Sequence, residues 1–148
     1  WEYGADRALR FAEEQKNRGK VQTPAVVGAV IQLGRCFDLL DTRFTQALSE
    51  TWPKFEEQVR RAGEQVPTNA GSTPDRKLRR LDCAVINWAL RLRERVGESY
   101  DTVRGGFTEG GPVFPNAGFQ RETHIQLAVR NPACILGVFR PTRLAETQ

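Results

Sequence analysis

The sequence predicts an α+β fold, because helical and strand patterns occupy largely different parts of the chain. Most segments before residue 95 repeat apolar residues every three or four positions, whereas short strand-like runs between turn formers dominate after Tyr100. The predicted order is helix, strand, helices, loop, helix, strand, loop, strand and strand. This order favours flanking helices and a mostly antiparallel sheet near the C-terminal end, in a single domain over residues 1–148.

The first half of the chain predicts helices on both sides of an apolar strand. "GADRALRFAEEQKNRG" has helical apolar spacing and stops at Gly19, and "TPAVVGAVIQLG" is a β-branched run typical of a buried strand. "DLLDTRFTQALSETW" predicts a helix capped by Asp41 or Thr42, and Pro53 begins a second helical piece. The following segment, Gly63–Asp75, is rich in turn formers and predicts a mobile surface loop.

The most regular helical pattern follows this loop. Its apolar stripe consists of Leu78, Leu81, Val85, Trp88 and Leu92, widened by two alanines. Arginines and a lysine line the outside of the helix. They form either a solvated face around a packed stripe or a basic face for phosphate groups.

The C-terminal third predicts strands "YDTVRGGF", "THIQLAV" and "ILGVF", with the long loop "TEGGPVFPNAGFQRE" before the second and the turn "RNPAC" before the third. In "ETHIQLAVRNP", strand alternation places Ile125, Leu127 and Val129 on one face, which we assign to the core. His124 and Gln126 then share the other face, which we expect to meet something polar.

Composition restricts the chemistry. The chain has 39% hydrophobic and 27% charged residues, no apolar run near the roughly 18 residues of a membrane span, and no signal-peptide pattern, which predicts a soluble protein. Cys36, Cys83 and Cys134 are odd in number and widely spaced, so we expect reduced thiols in a cytoplasmic protein, with neither zinc nor disulfides. Phosphate-loop, dinucleotide and nucleophile-elbow motifs are absent, and the single histidine, His124, is more typical of a structural hydrogen bond than of a catalyst.

Charge and the chain start add two expectations. The net charge is +4, and residues 75–148 carry the whole excess with 12 basic and 8 acidic side chains, which is compatible with an anionic partner. The sequence begins at Trp1 and contains no methionine, so we expect a processed form or a chain with a further upstream part.

Three segments together resemble the ADP-ribosyltransferase fold, in its diphtheria-toxin and poly(ADP-ribose)-polymerase branch. They are "WEYGADRALRFA", "VVGAVIQLGRCFDLLD" and "THIQLAVRNPACILGVF". Ala8 and Phe11 match the small and aromatic positions of the family's helix, Gln126 falls where the family has its catalytic Glu, and Ile135 matches a later apolar position. The resemblance implies split antiparallel sheets, and a domain whose N-terminal strand or strands precede residue 1.

The resemblance also implies a reaction and a site. The protein would be a mono-ADP-ribosyltransferase with NAD as substrate and no metal, since chain extension in the family relies on the carboxylate that Gln126 replaces. Gln126 would be the catalytic residue, and the NAD-binding residues would be Tyr3, Ala8, Phe11, Arg104 and His124. The acceptor, a protein or a nucleic acid, would meet the loop Thr108–Glu122 through Phe107, Phe114, Phe119 and Arg121.

Alternatives remain at several positions. Phe11 forms either an aromatic wall for nicotinamide or part of the core, and Arg104 binds either pyrophosphate or one of Asp101 and Glu109. The family resemblance implies a bacterial toxin or phage-defence effector held in check by an antitoxin, with no membrane partner. An inactive module that binds NAD, ADP-ribose or nucleic acid is the competing interpretation.

Overall fold

The computed structural model describes Glu2, residues 4–71 and residues 78–141. Over these residues the protein has an α+β fold, as the sequence predicts. The helices are α1 (Ala5–Asn17), α2 (Thr42–Arg61) and α3 (Arg80–Glu94). The strands are β1 (Gly28–Ile31), β2 (Cys36–Asp38), β3 (Thr102–Phe107), β4 (His124–Val129) and β5 (Ile135–Phe139), with a 3-10 turn at Pro132–Cys134.

The strands form two separate sheets. One has the order β2-β3-β4, with β2 parallel to β3 and β3 antiparallel to β4, and the other is an antiparallel pair of β1 and β5. The last two strands of the chain therefore lie in different sheets, although only a short turn joins them. The β2–β3 pair departs from a purely antiparallel arrangement, because α2, α3 and their connections form the long crossover that parallel neighbours require.

The core lies between the three-stranded sheet and helices α2 and α3. Phe37, Leu90 and Tyr100 are buried, and Phe44 of α2 packs against them. The ring of Phe37 is 4.6 Å from that of Phe44 and 5.2 Å from that of Tyr100, between centroids. Offset and edge-to-face aromatic contacts of this kind add specificity to ordinary apolar burial. A three-residue strand, β2, thus supplies the most buried side chain of the core.

Helix α2 is continuous through Pro53, and the prediction of a second helical piece there is wrong. The residues around the proline pack together, with the rings of Trp52 and Phe55 5.9 Å apart and Phe55 5.9 Å from Trp88 of α3. These contacts stabilise α2 around Pro53, whose nitrogen carries no hydrogen to donate to the preceding turn of the helix. The predicted cap is confirmed, since the carboxylate of Asp41 accepts a hydrogen bond from the amide of Arg43 at 2.9 Å.

The prediction for one apolar segment is wrong, and that for another is partly right. The run "TPAVVGAVIQLG" contains only the four residues of β1, and Val27 and Val30 are 71% and 54% exposed rather than buried. In the fourth predicted helix, now α3, Val85 of the predicted stripe is buried, whereas Leu78 precedes the helix and is exposed, and the most buried residue is Leu90, outside the stripe. Apolar composition alone does not distinguish a core strand from one whose neighbours leave it uncovered.

The face of β4 on the side of the core differs from the prediction, although burial does not separate the two faces, because Ile125, Leu127 and Val129 are half-buried and Ala128 is exposed. Ala128 pairs with Val103, and Val103 pairs with Phe37 of β2, so these side chains share one face of the sheet. His124 and Gln126 lie on that same face, where the core is. The predicted core residues Ile125 and Leu127 lie on the reverse face, beside Gly106 and Arg104. Within the part of the chain that the structure describes, no helix is both long and apolar enough to cross a membrane.

Candidate functional site

A cleft of about 1060 Å³ opens beside the core on the same face of the three-stranded sheet. Helix α1 forms one wall with Arg7 and Phe11, and the start of α3 forms another with Arg79. Phe107 and Gln126 form the floor from β3 and β4. The cleft is large enough for a dinucleotide-sized ligand, since drug-sized ligands occupy roughly 300–1,000 Å³.

Gln126 is oriented by a hydrogen-bonded relay along its own strand. The Nδ1 of His124 is 2.6 Å from the carbonyl oxygen of Glu122, and its Nε2 is 2.7 Å from Nε2 of Gln126. Because a carbonyl only accepts, Nδ1 carries the proton in neutral His124, and Nε2 accepts from the Gln126 amide. The carbonyl oxygen Oε1 of Gln126 is thereby left to accept a hydrogen bond from a ligand.

Aromatic and cationic groups stack beside this relay. The ring of His124 lies 5.8 Å from the ring of Phe107 at 18°, and the guanidinium of Arg79 lies 5.3 Å from the Phe107 centroid. Phe107 ends strand β3, as the predicted strand "YDTVRGGF" implies, and it contributes to the cleft floor, although it was also assigned to the acceptor surface of the loop. Contacts with both His124 and Arg79 restrain the Phe107 ring, so the floor of the cleft is preorganised.

Phe11 lines the cleft and is 39% exposed, which favours the aromatic-wall interpretation over a core role. Ala8, half-buried one turn earlier in α1, is not among the described lining residues. Tyr3, the third expected NAD-binding residue near the N-terminus, lies outside the described residues. The structure therefore places the expected site residues Phe11 and Gln126 in one cleft and holds a third, His124, against Gln126.

A buried ion-pair cluster joins α1 to the loop before β4. The guanidinium of Arg7 lies 2.8 Å from Glu109 and 3.0 Å from Glu122, and Arg10 lies 3.3 Å from Glu122. Arg7 and Glu109 are only 8% and 6% exposed. Removal of either partner would leave the other charge desolvated, which makes this cluster a strong constraint on the cleft wall.

The loop after β3 has regular internal structure. Its arms pair through backbone hydrogen bonds from Glu122 to Glu109, Arg121 to Gly111 and Val113 to Phe119, at 2.9–3.1 Å. The predicted long loop therefore contains a short hairpin-like excursion, which we call the 109–122 loop. Backbone pairing fixes where the loop tip projects, as in a β-hairpin.

The tip of the 109–122 loop is a tight turn in "FPNA". The amide of Ala117 donates to the carbonyl of Phe114 at 3.0 Å, and Asn116 has a φ of 63°. Pro115 precedes this left-handed residue, which is the pattern of a type II turn. Phe114 and Phe119 are 61% and 77% exposed, and Arg121 is exposed as well.

The mouth of the cleft is cationic. Among the described lining residues, five are basic and two are carboxylates. Apart from the buried Arg7, the basic side chains form what we call the cationic rim: Arg18, Lys20, Arg79 and Arg80. Such a rim attracts an anionic ligand.

The N-terminus of α3, which carries half of this rim, is capped from the preceding loop. The side-chain oxygen of Asn69 accepts from the amides of Leu81 and Asp82 at 3.0 and 3.3 Å, and its amide donates to the Asp82 carboxylate at 2.7 Å. Ala70 also bridges to Leu78 through the backbone. Part of the predicted mobile loop is therefore hydrogen-bonded to the helix, and side chains rather than free helix amides supply the positive charge at the cleft.

Arg104 does not join the cleft. Arg104 precedes Gly105, which is the strand partner of Gln126. Because successive strand residues point to opposite faces, Arg104 points to the face of the sheet opposite Gln126. There it pairs with Glu2 at 2.9 Å and Asp38 at 3.1 Å, rather than with Asp101 or Glu109, and these hydrogen bonds raise its pKa. The predicted contact of Arg104 with pyrophosphate at the Gln126 site is therefore wrong. Ile135, the later apolar position, begins β5 and is 41% exposed.

Sequence reasoning missed the cluster of Arg7 and Glu109, and it missed Arg79 as a cleft residue. One signal was available for Arg7, because it lies one helical turn before Phe11 and i, i+4 residues share a face. The pairing of Arg7 with Glu109 spans 102 residues, and no local pattern encodes it.

Within the described part of the chain, histidines, cysteines and carboxylates do not gather into a group of three that could hold a metal. The fold and this site define an α+β protein with a cation-rimmed cleft on the core face of a mixed sheet. Comparison with protein-family models, with curated proteins and with solved structures finds no match for this chain.

Proposed function

We propose that the protein is a mono-ADP-ribosyltransferase that transfers ADP-ribose from NAD to a macromolecular acceptor. The observation that carries the proposal is the position of Gln126, held by His124 on the floor of a large cleft that also contains Phe11. These are the residues that the family resemblance assigns to catalysis and to nicotinamide binding. The proposed roles as a toxin or phage-defence effector, the antitoxin and the cytoplasmic location rest on the resemblance alone.

The proposed reaction breaks the bond between ribose C1′ and the pyridinium nitrogen of NAD. The bonding electron pair moves to nitrogen, neutral nicotinamide leaves, and the acceptor atom donates an electron pair to C1′ as it loses its proton to water. Gln126 cannot remove a proton, but its Oε1 can accept from a ribose hydroxyl and place C1′ for attack. A neutral carbonyl dipole also stabilises the developing ribose cation, less strongly than a carboxylate would.

The aromatic residues of the cleft have a corresponding role. Phe11 lies on the α1 wall and Phe107 on the floor of the cleft, and planar faces of this kind hold a nicotinamide ring while excluding water. The restraint of Phe107 by His124 and Arg79 keeps that surface in place before the ligand arrives. His124 is a positioning residue, since its hydrogen bond sets the orientation of the Gln126 amide.

A module that binds NAD or ADP-ribose without turnover is the second candidate. The observation that favours it is the neutral amide of Gln126, which retains hydrogen bonding to ribose but lacks the charge of a carboxylate.

The test is incubation of the full chain with labelled NAD and a cell lysate, with released nicotinamide and transferred label both measured. Gln126→Ala should lower transfer about 100-fold, the usual effect of removing one such polar contact. Gln126→Glu should raise transfer above wild type, because the carboxylate stabilises the ribose cation. Gln58→Ala is the matched control, since Gln58 is an exposed glutamine on α2 outside the cleft lining.

Three outcomes separate the candidates. Transfer that depends on Gln126 supports the transferase. NAD binding by calorimetry, without nicotinamide release from wild type or Gln126→Glu, supports the binding module. Transfer that is unchanged in Gln126→Ala, with the fold intact by circular dichroism, would contradict the assignment of the site.

A further inference from the structure

The cationic rim surrounds a site whose proposed substrate is itself anionic. Arg18 and Lys20 lie at the end of α1 and just beyond it, and Arg79 and Arg80 lie at the start of α3, so positive charge borders the cleft from two elements. Within the rim, Arg18 pairs with Glu14 at 3.8 Å and Arg79 with Asp82 at 3.4 Å. Lys20 and Arg80 are therefore the rim cations best placed to meet a second anion at the cleft mouth, namely the acceptor.

The 109–122 loop offers a different kind of contact beside the same mouth. Glu109 lines the cleft, and at the usual strand rise the loop tip at Val113 lies roughly 13 Å beyond it. Phe114 and Phe119 are 61% and 77% exposed in this loop, so they do not serve as core residues. Exposed rings next to a cationic groove are the combination that binds single-stranded nucleic acid, through base stacking and phosphate contacts.

Gln126 adds a chemical condition. It cannot act as a general base, so the acceptor atom that suits the site is one with an available electron pair at neutral pH. Phosphate oxygens, base ring nitrogens and the carboxylates of an acidic protein meet this condition without help from the enzyme. The hydroxyl group of a serine or the guanidinium of an arginine would first have to lose a proton.

We propose that the acceptor is single-stranded nucleic acid, held by the cationic rim and the exposed aromatics of the 109–122 loop. The proposal rests on the proposed function and specifies its acceptor. In the transfer step, a phosphate oxygen or base nitrogen gives its electron pair to C1′ of the NAD ribose. The bond from C1′ to nicotinamide breaks towards the pyridinium nitrogen, nicotinamide leaves, and any proton on the attacking atom goes to water.

Single strands fit this surface better than duplexes or acidic proteins. Stacking on Phe114 and Phe119 requires bases that are not already stacked and paired. An acidic protein would satisfy the rim but would draw no benefit from two exposed aromatic rings. The acceptor assay below therefore includes both duplex and protein as competing outcomes.

Binding is tested first, by fluorescence anisotropy of short labelled DNA and RNA strands with the full chain over a range of salt concentrations. Lys20→Gln/Arg80→Gln removes two rim charges and should reduce the slope of log affinity against log salt by about 1.4, or roughly 0.7 for each lost phosphate contact. Arg91→Gln/Arg95→Gln is the matched control, because it removes two exposed charges from the other end of α3, about 16 Å or more along the helix from Arg80.

The aromatic contribution is tested with Phe119. Phe119→Ala should weaken binding roughly tenfold through the loss of one stacked base, whereas Phe119→Trp should retain it. Equal salt slopes for the rim double variant and its control, or equal affinities for all Phe119 variants, would overturn the proposal.

Transfer is then measured with NAD labelled in its adenylate phosphate and with single strands, duplex or lysate protein as acceptors. Nuclease-sensitive label on single strands is the expected result. Nicotinamide release accompanied by label that only protease removes would overturn the nucleic-acid acceptor and leave the transferase intact. No nicotinamide release with any acceptor would overturn the transferase, and the acceptor proposal with it.

Discussion

The two sheets of this protein both contain apolar strand residues, but their surroundings differ. The three-stranded sheet places Phe37 in the core at 0% exposure and Gln126 in the cleft, on the same face. The two-stranded sheet leaves all five residues of β5 exposed, with Leu136 and Val138 at 63% and 66%. Helices α2 and α3 cover the first sheet, and an isolated pair of strands has little stability of its own. Stability and the candidate chemistry are thus concentrated in the same sheet.

The sharpest test of this contrast is truncation of one apolar side chain in each sheet. Phe37→Ala should cost about 3–5 kcal/mol of the free energy of unfolding, because it leaves a cavity among Phe44, Leu90 and Tyr100. Val138→Ala should change it by less than about 0.5 kcal/mol, because Val138 is exposed. Urea denaturation of both variants measures the difference, and equal losses would contradict the division between the sheets.

The next largest effect is expected at the Arg7 cluster, which ties the cleft to α1. Arg7→Met should cost about 3 kcal/mol, because the carboxylate of Glu109 would remain buried without this cation. The double variant Arg7→Met/Glu109→Gln should recover part of that loss. Thermal unfolding of both variants tests this, and a double variant less stable than Arg7→Met would argue against an ion pair as the cause.

A smaller effect is expected at the cap of α3, which positions the cationic rim. Asn69→Ala should cost about 1 kcal/mol, since the amides of Leu81 and Asp82 lose their acceptor. Asn87→Ala, on the exposed side of the same helix, should be neutral or slightly stabilising. Chemical denaturation distinguishes them, and similar values would show that the Asn69 cap contributes little.

Acidification should lower the stability of the protein through Asp101, which directly precedes β3. The side chain of Asn131 and the backbone amide of Arg35 donate to its carboxylate at 2.8 Å each, and both lower its pKa. A carboxylate with a lowered folded-state pKa contributes stability that is present above its unfolded value, near 4, and is lost as pH falls through the folded value. Asp101→Asn should therefore be less stable at neutral pH and lose less stability on acidification. Parallel pH–stability curves would contradict this.

The smallest effect on stability is expected on the exposed sheet. Leu136→Lys should leave the free energy of unfolding within about 0.5 kcal/mol of wild type while lowering the binding of a hydrophobic dye, because it interrupts an apolar surface. Lys54→Leu, at an exposed position of α2, is the reverse control and should not lower dye binding. Unchanged dye fluorescence in Leu136→Lys would place the apolar surface elsewhere.

Local sequence patterns were sufficient for the helices and for most strands, because periodicity and capping act over a few residues. The three residues of β2 were too short a signal, and the parallel pairing of β2 with β3 depends on elements far apart in the chain. Alternation divided β4 into two faces correctly, but it could not say which face met the core. That choice follows from the pairing of Ala128 with Val103 and Phe37.

The site was predictable to the same degree. Phe11 and Gln126 share the cleft, as the resemblance implies, because each lies in a recognisable local motif. Arg104 was misplaced because one step along a strand reverses the face, and only the register with β4 decides it. The cationic rim combines side chains from α1 and α3, so it exists only once the helices have packed.

The parallel pairing of β2 with β3 has a consequence for the order of folding. Cys36 and Thr102 are partners across 66 residues of chain, and Arg7 and Glu109 meet across 102. Contacts of such separation close large loops and slow the folding rate relative to local helix formation. We expect α2 and α3 to form early and the cleft to be completed last, so that a folding intermediate would contain helices before it contains a binding site.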